Sequence, residues 1–267
     1  MSSSDWDAST YDLLSTPQQE WGVAVLDRLA LAGDETALDA GCGTGRLTEA
    51  LLERLPRGRA VAIDRSPNML QVAAANLRPR FAGRVAFVRA DAAALPFRDA
   101  ADVIFSTATF HWVQDHARLF ASLHAALKPG GRLIAQCGGG PNLKRLLARA
   151  SSLAAADRFA RHLTGWIDPW FFADAETTAR RLEAAGFVEV ETWTHPSPVR
   201  FDTAAEYRDF LACVCVRAYC ARLPGPDRDG FLDGLADLSA GDDPPFTLDY
   251  WRLNLAGRKP GEEVTRK

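Results

Sequence analysis

At 267 residues the chain is long enough to bury a full hydrophobic core, and a hydrophobic fraction of 47% fits an ordinary soluble protein. A net charge of −3 and an isoelectric point near 6.0 offer no broad electrostatic attraction for a phosphate backbone, which makes nucleic acid a minority partner. No run approaches the roughly 20 apolar residues of a membrane span, and the start from Met1 to Asp7 has no basic segment followed by an apolar one. A cytoplasmic protein is therefore expected.

The first informative stretch in chain order is Asp39-Ala40-Gly41-Cys42-Gly43-Thr44-Gly45. Thr36-Ala37-Leu38 before it reads as the end of a strand, and Leu47, Leu51, Leu52 and Leu55 after it recur at helical spacing. Glycines at alternate positions permit positive φ and remove the Cβ atoms that would keep a ligand from the backbone N–H groups at the helix start. A dinucleotide fingerprint needs a third glycine where Arg46 stands, so that ligand is disfavoured. Asp39 points elsewhere: a carboxylate there accepts a hydrogen bond from an ammonium group, whereas it would repel a pyrophosphate.

Arg59 to Asp64 forms a second strand ending in an acid about 20 residues beyond the turn, where a carboxylate can accept both hydroxyls of a ribose. A third strand, Val85 to Ala90, ends at Asp91-Ala92. A fourth, Ala101 to Phe105, runs into Ser106-Thr107-Ala108-Thr109-Phe110-His111-Trp112, and a fifth, Arg132 to Gln136, follows the turn Lys128-Pro129-Gly130-Gly131. Helical patterns over Asn68–Asn76, His116–Leu127 and Thr177–Ala185 separate or follow them. Strand and helix in alternation mean parallel pairing with right-handed crossovers.

With those residues in order, the stretch from 36 to 137 resembles the cofactor half of a class I S-adenosylmethionine-dependent methyltransferase. Asp5-Trp6-Asp7-Ala8-Ser9-Thr10-Tyr11 and Pro17 resemble the amino terminus of the trans-aconitate methyltransferase-like, type 11 branch, which acts on small molecules. The resemblance implies a Rossmann-like three-layer α/β sandwich whose seven-stranded sheet is mostly parallel with an antiparallel last strand, and S-adenosylmethionine as cofactor. It implies that Asp39 and the backbone of Gly41, Cys42, Gly43 and Gly45 meet the methionine part and that Tyr11 lies near the cofactor. Asp64 takes the ribose hydroxyls, Arg65 and Met69 flank adenine, and Asp91 with Ala92 bind its edge. Thr107 stands near the methionyl group where relatives often carry Asn.

The expected organisation is an N-terminal helical segment (1–35) over the cofactor, a core (36–137), a helical cap segment (138–176), a core helix and sixth strand (177–194), a second cap segment (195–247) and a last strand with tail (248–267). Val188 to Trp193 and Leu248 to Ala256 are the expected sixth and seventh strands. Aromatic residues crowd the cap segments, either as its own core or as walls of an acceptor pocket; Trp112, Trp166 and Trp170 are the candidate substrate contacts. Arg145, Arg149, Arg158 and Arg161 either bind an acceptor carboxylate or line a solvated helix face.

His111, at the rim of the fourth strand, is the candidate general base, since an imidazole with a pKa near 6.5 suits proton removal; the alternative is that it binds substrate or packs beside Trp112. Five cysteines without a repeated spacing indicate reduced thiols, and Cys213, Cys215 and Cys220 read as buried helix thiols with no metal. The expected function is methyl transfer to a small organic acceptor, with oxygen favoured over nitrogen or carbon, by a monomer or homodimer. The alternatives are a tRNA or other nucleic-acid methyltransferase and a non-catalytic cofactor-binding regulator.

Overall fold

The computed structural model describes residues 16–261, so Tyr11 and the segment from Asp5 lie outside the described residues. Helix α1 (Thr16–Leu26) leads into β1 (Thr36–Ala40), α2 (Arg46–Glu53), β2 (Arg59–Asp64), α3 (Pro67–Phe81), β3 (Val85–Arg89) and β4 (Ala101–Thr107). There follow α4 (His116–Ala126), β5 (Leu127–Gly138), α5 (Lys144–Ala154), α6 (Asp157–Leu163), α7 (Ala175–Ala184) and β6 (Val188–Pro196). The chain closes with β7 (Val199–Arg200), α8 (Ala204–Phe210), a π-helical turn (Leu211–Cys215), α9 (Arg217–Cys220), α10 (Gly225–Ala240), β8 (Thr247–Leu248) and β9 (Trp251–Arg258).

The main sheet has the order β3-β2-β1-β4-β5-β9-β6, and β9 is antiparallel to both of its neighbours. Its centre is apolar on both faces, as a helix-covered parallel sheet must be: Leu38, Ala62, Ile104, Phe105 and Leu133 are all essentially unexposed. The edges β3 and β6 carry half-exposed residues instead.

Local chemistry starts each crossover helix. Gly45, at φ +87°, turns the chain into α2; Ser66 caps α3 by accepting from the Met69 N–H, with Pro67 at the first helical position. Asp115 and Asp174 cap α4 and α7 in the same way.

One expected strand divides in two. Leu248 to Ala256 alternates without a break, yet Thr247–Leu248 pairs with Val199–Arg200 in a separate two-stranded sheet, while Trp251–Arg258 joins the main one. Asp249 pins the junction: its Oδ2 accepts from the Arg145 N–H at 2.9 Å and its carbonyl from the Leu143 N–H at 3.0 Å, both at the start of α5. Alternation records only which side of a strand is buried, so it cannot register a change of partner.

Helices α5, α6, α8, α9 and α10 share a second core, built around Phe159, Tyr207, Phe210, Tyr219 and Phe231. Most aromatics of the surplus segments are spent there, each contributing about 1.5–3 kcal/mol by burial.

Candidate functional site

The turns after β1, β2, β3 and β4, at the carboxyl end of the sheet, face one depression. Gly41, Gly43, Asp64 and Met69 line one side of it, and Asp91, Ala92, Thr107 and Trp112 the other, with Arg65 at the exposed rim. A second recess continues past Gly43 to Asp39, Cys42 and Arg46. A third opens where these meet, at Ala108: its walls include His111, Trp112, Trp170, Phe172 and Arg252.

The glycine turn has three different jobs. Gly41, Gly43 and Gly45 all have positive φ, at +89°, +54° and +87°. A Cβ on Gly41 would lie 2.0 Å from Thr109 Oγ1, and one on Gly45 would lie 2.9 Å from Leu77 Cδ1 and 3.2 Å from Ala73 Cβ. Gly45 therefore lets α2 close onto α3, a packing role. At Gly43 an added Cβ would meet nothing within 4 Å, so this is where the backbone leaves room for a ligand.

Two carboxylates are held differently. Asp64 at the end of β2 accepts from the Gly43 N–H at 3.0 Å through Oδ2 and from the Ser66 N–H at 2.8 Å through Oδ1, which aims it along the cleft. Asp39 is 2% exposed and accepts from Thr48 Oγ1 at 2.6 Å. Burial, with the charge of Asp64 adding to it, raises the Asp39 pKa to about 7 against the effect of the Thr48 hydrogen bond. A buried acid in that state suits an ammonium partner. Asp91 caps the short turn Ala92–Ala94 through the Ala93 N–H and keeps an exposed carboxyl at the cleft. Cys42 is buried, and its thiol pKa is driven upward by that burial, so it acts as a small packing residue.

His111 sits at the rim beyond β4 and beside Trp112. Its Nδ1 accepts from the Gly138 N–H at 3.3 Å, and its ring lies between Trp112 and Phe172, with centroids 5.5 Å and 5.8 Å away. Burial first, then the positive charges of Arg252 and His116, lower its pKa to about 3. The ring is neutral at physiological pH and carries its hydrogen on Nε2, which makes it a donor. The sequence context showed the rim position but not the desolvation.

The tryptophans separate. Trp170 faces Trp112 at 5.7 Å in the third recess, whereas Trp166 packs edge-on to Tyr219 at 4.2 Å and borders a different hollow with Asp168. The four arginines are taken up by ion pairs within the helical layer. Arg149 holds Asp242 in a two-pronged pair at 2.7 and 2.9 Å with Arg145 nearby, and Arg158 and Arg161 both bind Asp227 at 2.8 Å. Arg158 and Arg161 remain exposed while paired, and Arg145 and Arg149 are half-buried.

Several residues at the site carry no local sequence signal. Gln18, on α1, borders both the second and third recesses, and its Oε1 is buried without a hydrogen-bond partner. Arg252, on β9, is 2% exposed; its Nε donates to Gln136 Oε1 at 3.2 Å, and the guanidinium lies 4.5 Å over Trp21. Gln136 in turn donates to Asn254 Oδ1 at 3.0 Å. These residues come from elements separated by most of the chain.

Comparison with known proteins agrees with this architecture. A family model described as a methyltransferase domain matches residues 38–135. The trans-aconitate 2-methyltransferase of Methylobacterium radiotolerans is 30% identical over 268 residues, covering 96% of this chain and 98% of that protein. The malonyl-[acyl-carrier protein] O-methyltransferase of Xylella fastidiosa is 36% identical over 143 residues, 52% of this chain and 48% of that protein. Among solved structures, the Haemonchus contortus phosphoethanolamine N-methyltransferase 2 with S-adenosyl-L-methionine superposes with a TM-score of 0.61 at 19% identity, covering 95% of this chain and 56% of that one. At that identity the likeness concerns the fold. No helix among the described residues is long and apolar enough to cross a membrane.

Proposed function

This chain belongs to the S-adenosylmethionine-dependent methyltransferases, and from that premise we propose that it methylates an oxygen of a small organic acceptor bound in the recess beside His111, Trp112 and Trp170. The observation that carries this reading is the meeting of all three recesses at Ala108, so that one wall serves donor and acceptor alike.

When bound, S-adenosylmethionine supplies an electrophilic methyl group on a sulfonium. The residues present fit it: Asp39 offers a carboxylate for the amino group, the open face of Gly43 admits the backbone-hugging part, and Asp64 and Asp91 offer acceptors for hydroxyls and for an amino edge. Met69, 4% exposed, supplies an apolar flank beside Arg65. The protein's own task is alignment, which is worth roughly 7–11 kcal/mol when the attacking atom is held in line. Trp112, Trp170 and Phe172 exclude water from the acceptor side, and His111 orients the acceptor as a neutral donor.

Two measurements test these roles. Asp64→Ala is expected to weaken cofactor binding at least 30-fold by calorimetry while the circular dichroism melt remains cooperative; an unchanged affinity contradicts the ribose assignment. At saturating cofactor, His111→Ala is expected to lower kcat about tenfold and leave kcat flat between pH 6 and 8 in both proteins, because the imidazole stays neutral across that range. A limb near pH 6.5 that disappears in the variant would restore the general-base role.

A further inference from the structure

Gln18 borders both the second and the third recess, yet it belongs to α1 and to none of the turns that shape the cleft. It is 8% exposed, and its Oε1 is buried with no hydrogen-bond partner. A buried acceptor left without a donor destabilises the fold, so this carbonyl is suited to a donor that arrives with a ligand.

The helix holds the residue firmly in place. One turn beyond Gln18, on the same face, Gly22 lies so near α2 that an added Cβ would collide with the Leu47 side chain. Trp21 meets Tyr250 edge-on at 5.1 Å, and Gln19 accepts from Arg46 Nη1 at 3.1 Å at the second recess. The backbone of Gln18 is therefore clamped against the start of α2.

No side chain around it satisfies Oε1. His111, Asn142 and Arg252 share the third recess with Gln18, and none of them donates to it. The second recess adds a further buried acceptor, Asp39, whose Oδ2 is already engaged by Thr48. Two buried acceptors around one recess suit a group with several N–H donors, and an ammonium carries three. A neutral amide fits there better than another acid, because a second carboxylate would repel Asp39, whose ionisation Asp64 already opposes.

We propose that Gln18 binds the methionyl ammonium of the donor as a second acceptor alongside Asp39, so that α1 reads the amino-acid end of S-adenosylmethionine. This rests on the methyl-transfer reading above and adds to it a contact from outside the βα turns. The groups offered to the adenosyl end, Asp64, Met69 and Asp91, line the first depression, which Gln18 does not. Removing its carbonyl therefore acts on one end of the ligand alone.

The test compares two ligands on the full chain by calorimetry: S-adenosylhomocysteine, which keeps the ammonium, and 5′-methylthioadenosine, which lacks the amino-acid end. Gln18→Met keeps the length of the side chain and removes the carbonyl. It should weaken S-adenosylhomocysteine binding about tenfold or more and leave 5′-methylthioadenosine within about twofold of wild type. The ligand-free variant should melt at or above the wild-type temperature, because no hydrogen bond of Oε1 is lost. Should Gln18→Met not fold, Gln18→Asn, which draws the carbonyl back by one methylene, is expected to show the same selective loss. Equal losses for both ligands would make Gln18 a structural residue and overturn the assignment. Unchanged affinity for S-adenosylhomocysteine would overturn it as well while leaving the donor site in place. A wild type that bound neither ligand would instead remove the methyl-transfer reading beneath the proposal.

Discussion

Asp39→Asn is expected to abolish cofactor binding and, at the same time, to stabilise the ligand-free protein at alkaline pH. The carboxyl is buried with a pKa raised to about 7, against an ordinary value near 3.9 in the unfolded chain. Between those two values the folded state retains a proton that the unfolded state has released, so stability falls as the pH rises from about 4 to 7 and stays low above that. The full shift corresponds to a cost on the order of 4 kcal/mol. An amide removes the charge and can still accept from Thr48, so a gain of about 2 kcal/mol, or roughly 4–8 °C in melting temperature at pH 8, is the expected outcome. At pH 4 the difference should vanish.

Cofactor binding should show the mirror image in the wild type. Below pH 7 the acid must release its proton to meet an ammonium group, so affinity should fall by up to tenfold per pH unit. Calorimetry in buffers of different ionisation enthalpy should detect up to one proton released. A variant that binds normally, or a wild-type affinity independent of pH between 5.5 and 7, would separate Asp39 from the ligand.

Gly43→Ala and Gly45→Ala should fail in different ways although they lie two residues apart. At Gly43 the cost to folding is only that of placing an L-residue at φ +54°, roughly 1–2 kcal/mol, because the added methyl meets no protein atom within 4 Å. That methyl fills the open face of the turn, and cofactor affinity is expected to drop at least 100-fold in a folded protein. At Gly45 the same φ strain is joined by contacts with Leu77 and Ala73, which hold α3 against α2. Its loss should come mainly as stability, about 3 kcal/mol or more, with binding following the folded fraction. Chemical denaturation and calorimetry on both variants separate the two outcomes; equal losses of stability would refute the division of labour.

The sequence analysis reached far along the first half of the chain because the signals there are local. A strand, a glycine turn and a helix occupy adjacent residues, and the acids that end β2 and β3 are read from the same strands whose apolar runs define the sheet. That is why Asp39, Gly43, Asp64 and Asp91 could be placed at one cleft, and why a mostly parallel seven-stranded sheet with an antiparallel last strand followed from the resemblance. The same locality misled at Leu248 to Ala256, where one alternating pattern serves two sheets.

What only the tertiary structure decided are the quantities set by distance and burial between remote segments. The loss of basicity at His111 comes from desolvation and from Arg252, which lies far along the chain. The separation of Trp166 from Trp170 depends on where Tyr219 packs, and the removal of four arginines from contention depends on Asp227 and Asp242 in and after α10. Gln18 and Arg252 reach the third recess from opposite ends of the described chain. The sequence by itself determined the glycine turn and the acids beside it, since they are written within single βα turns; the recess beside His111 exists only once the chain has folded, because its walls come from elements far apart in the chain.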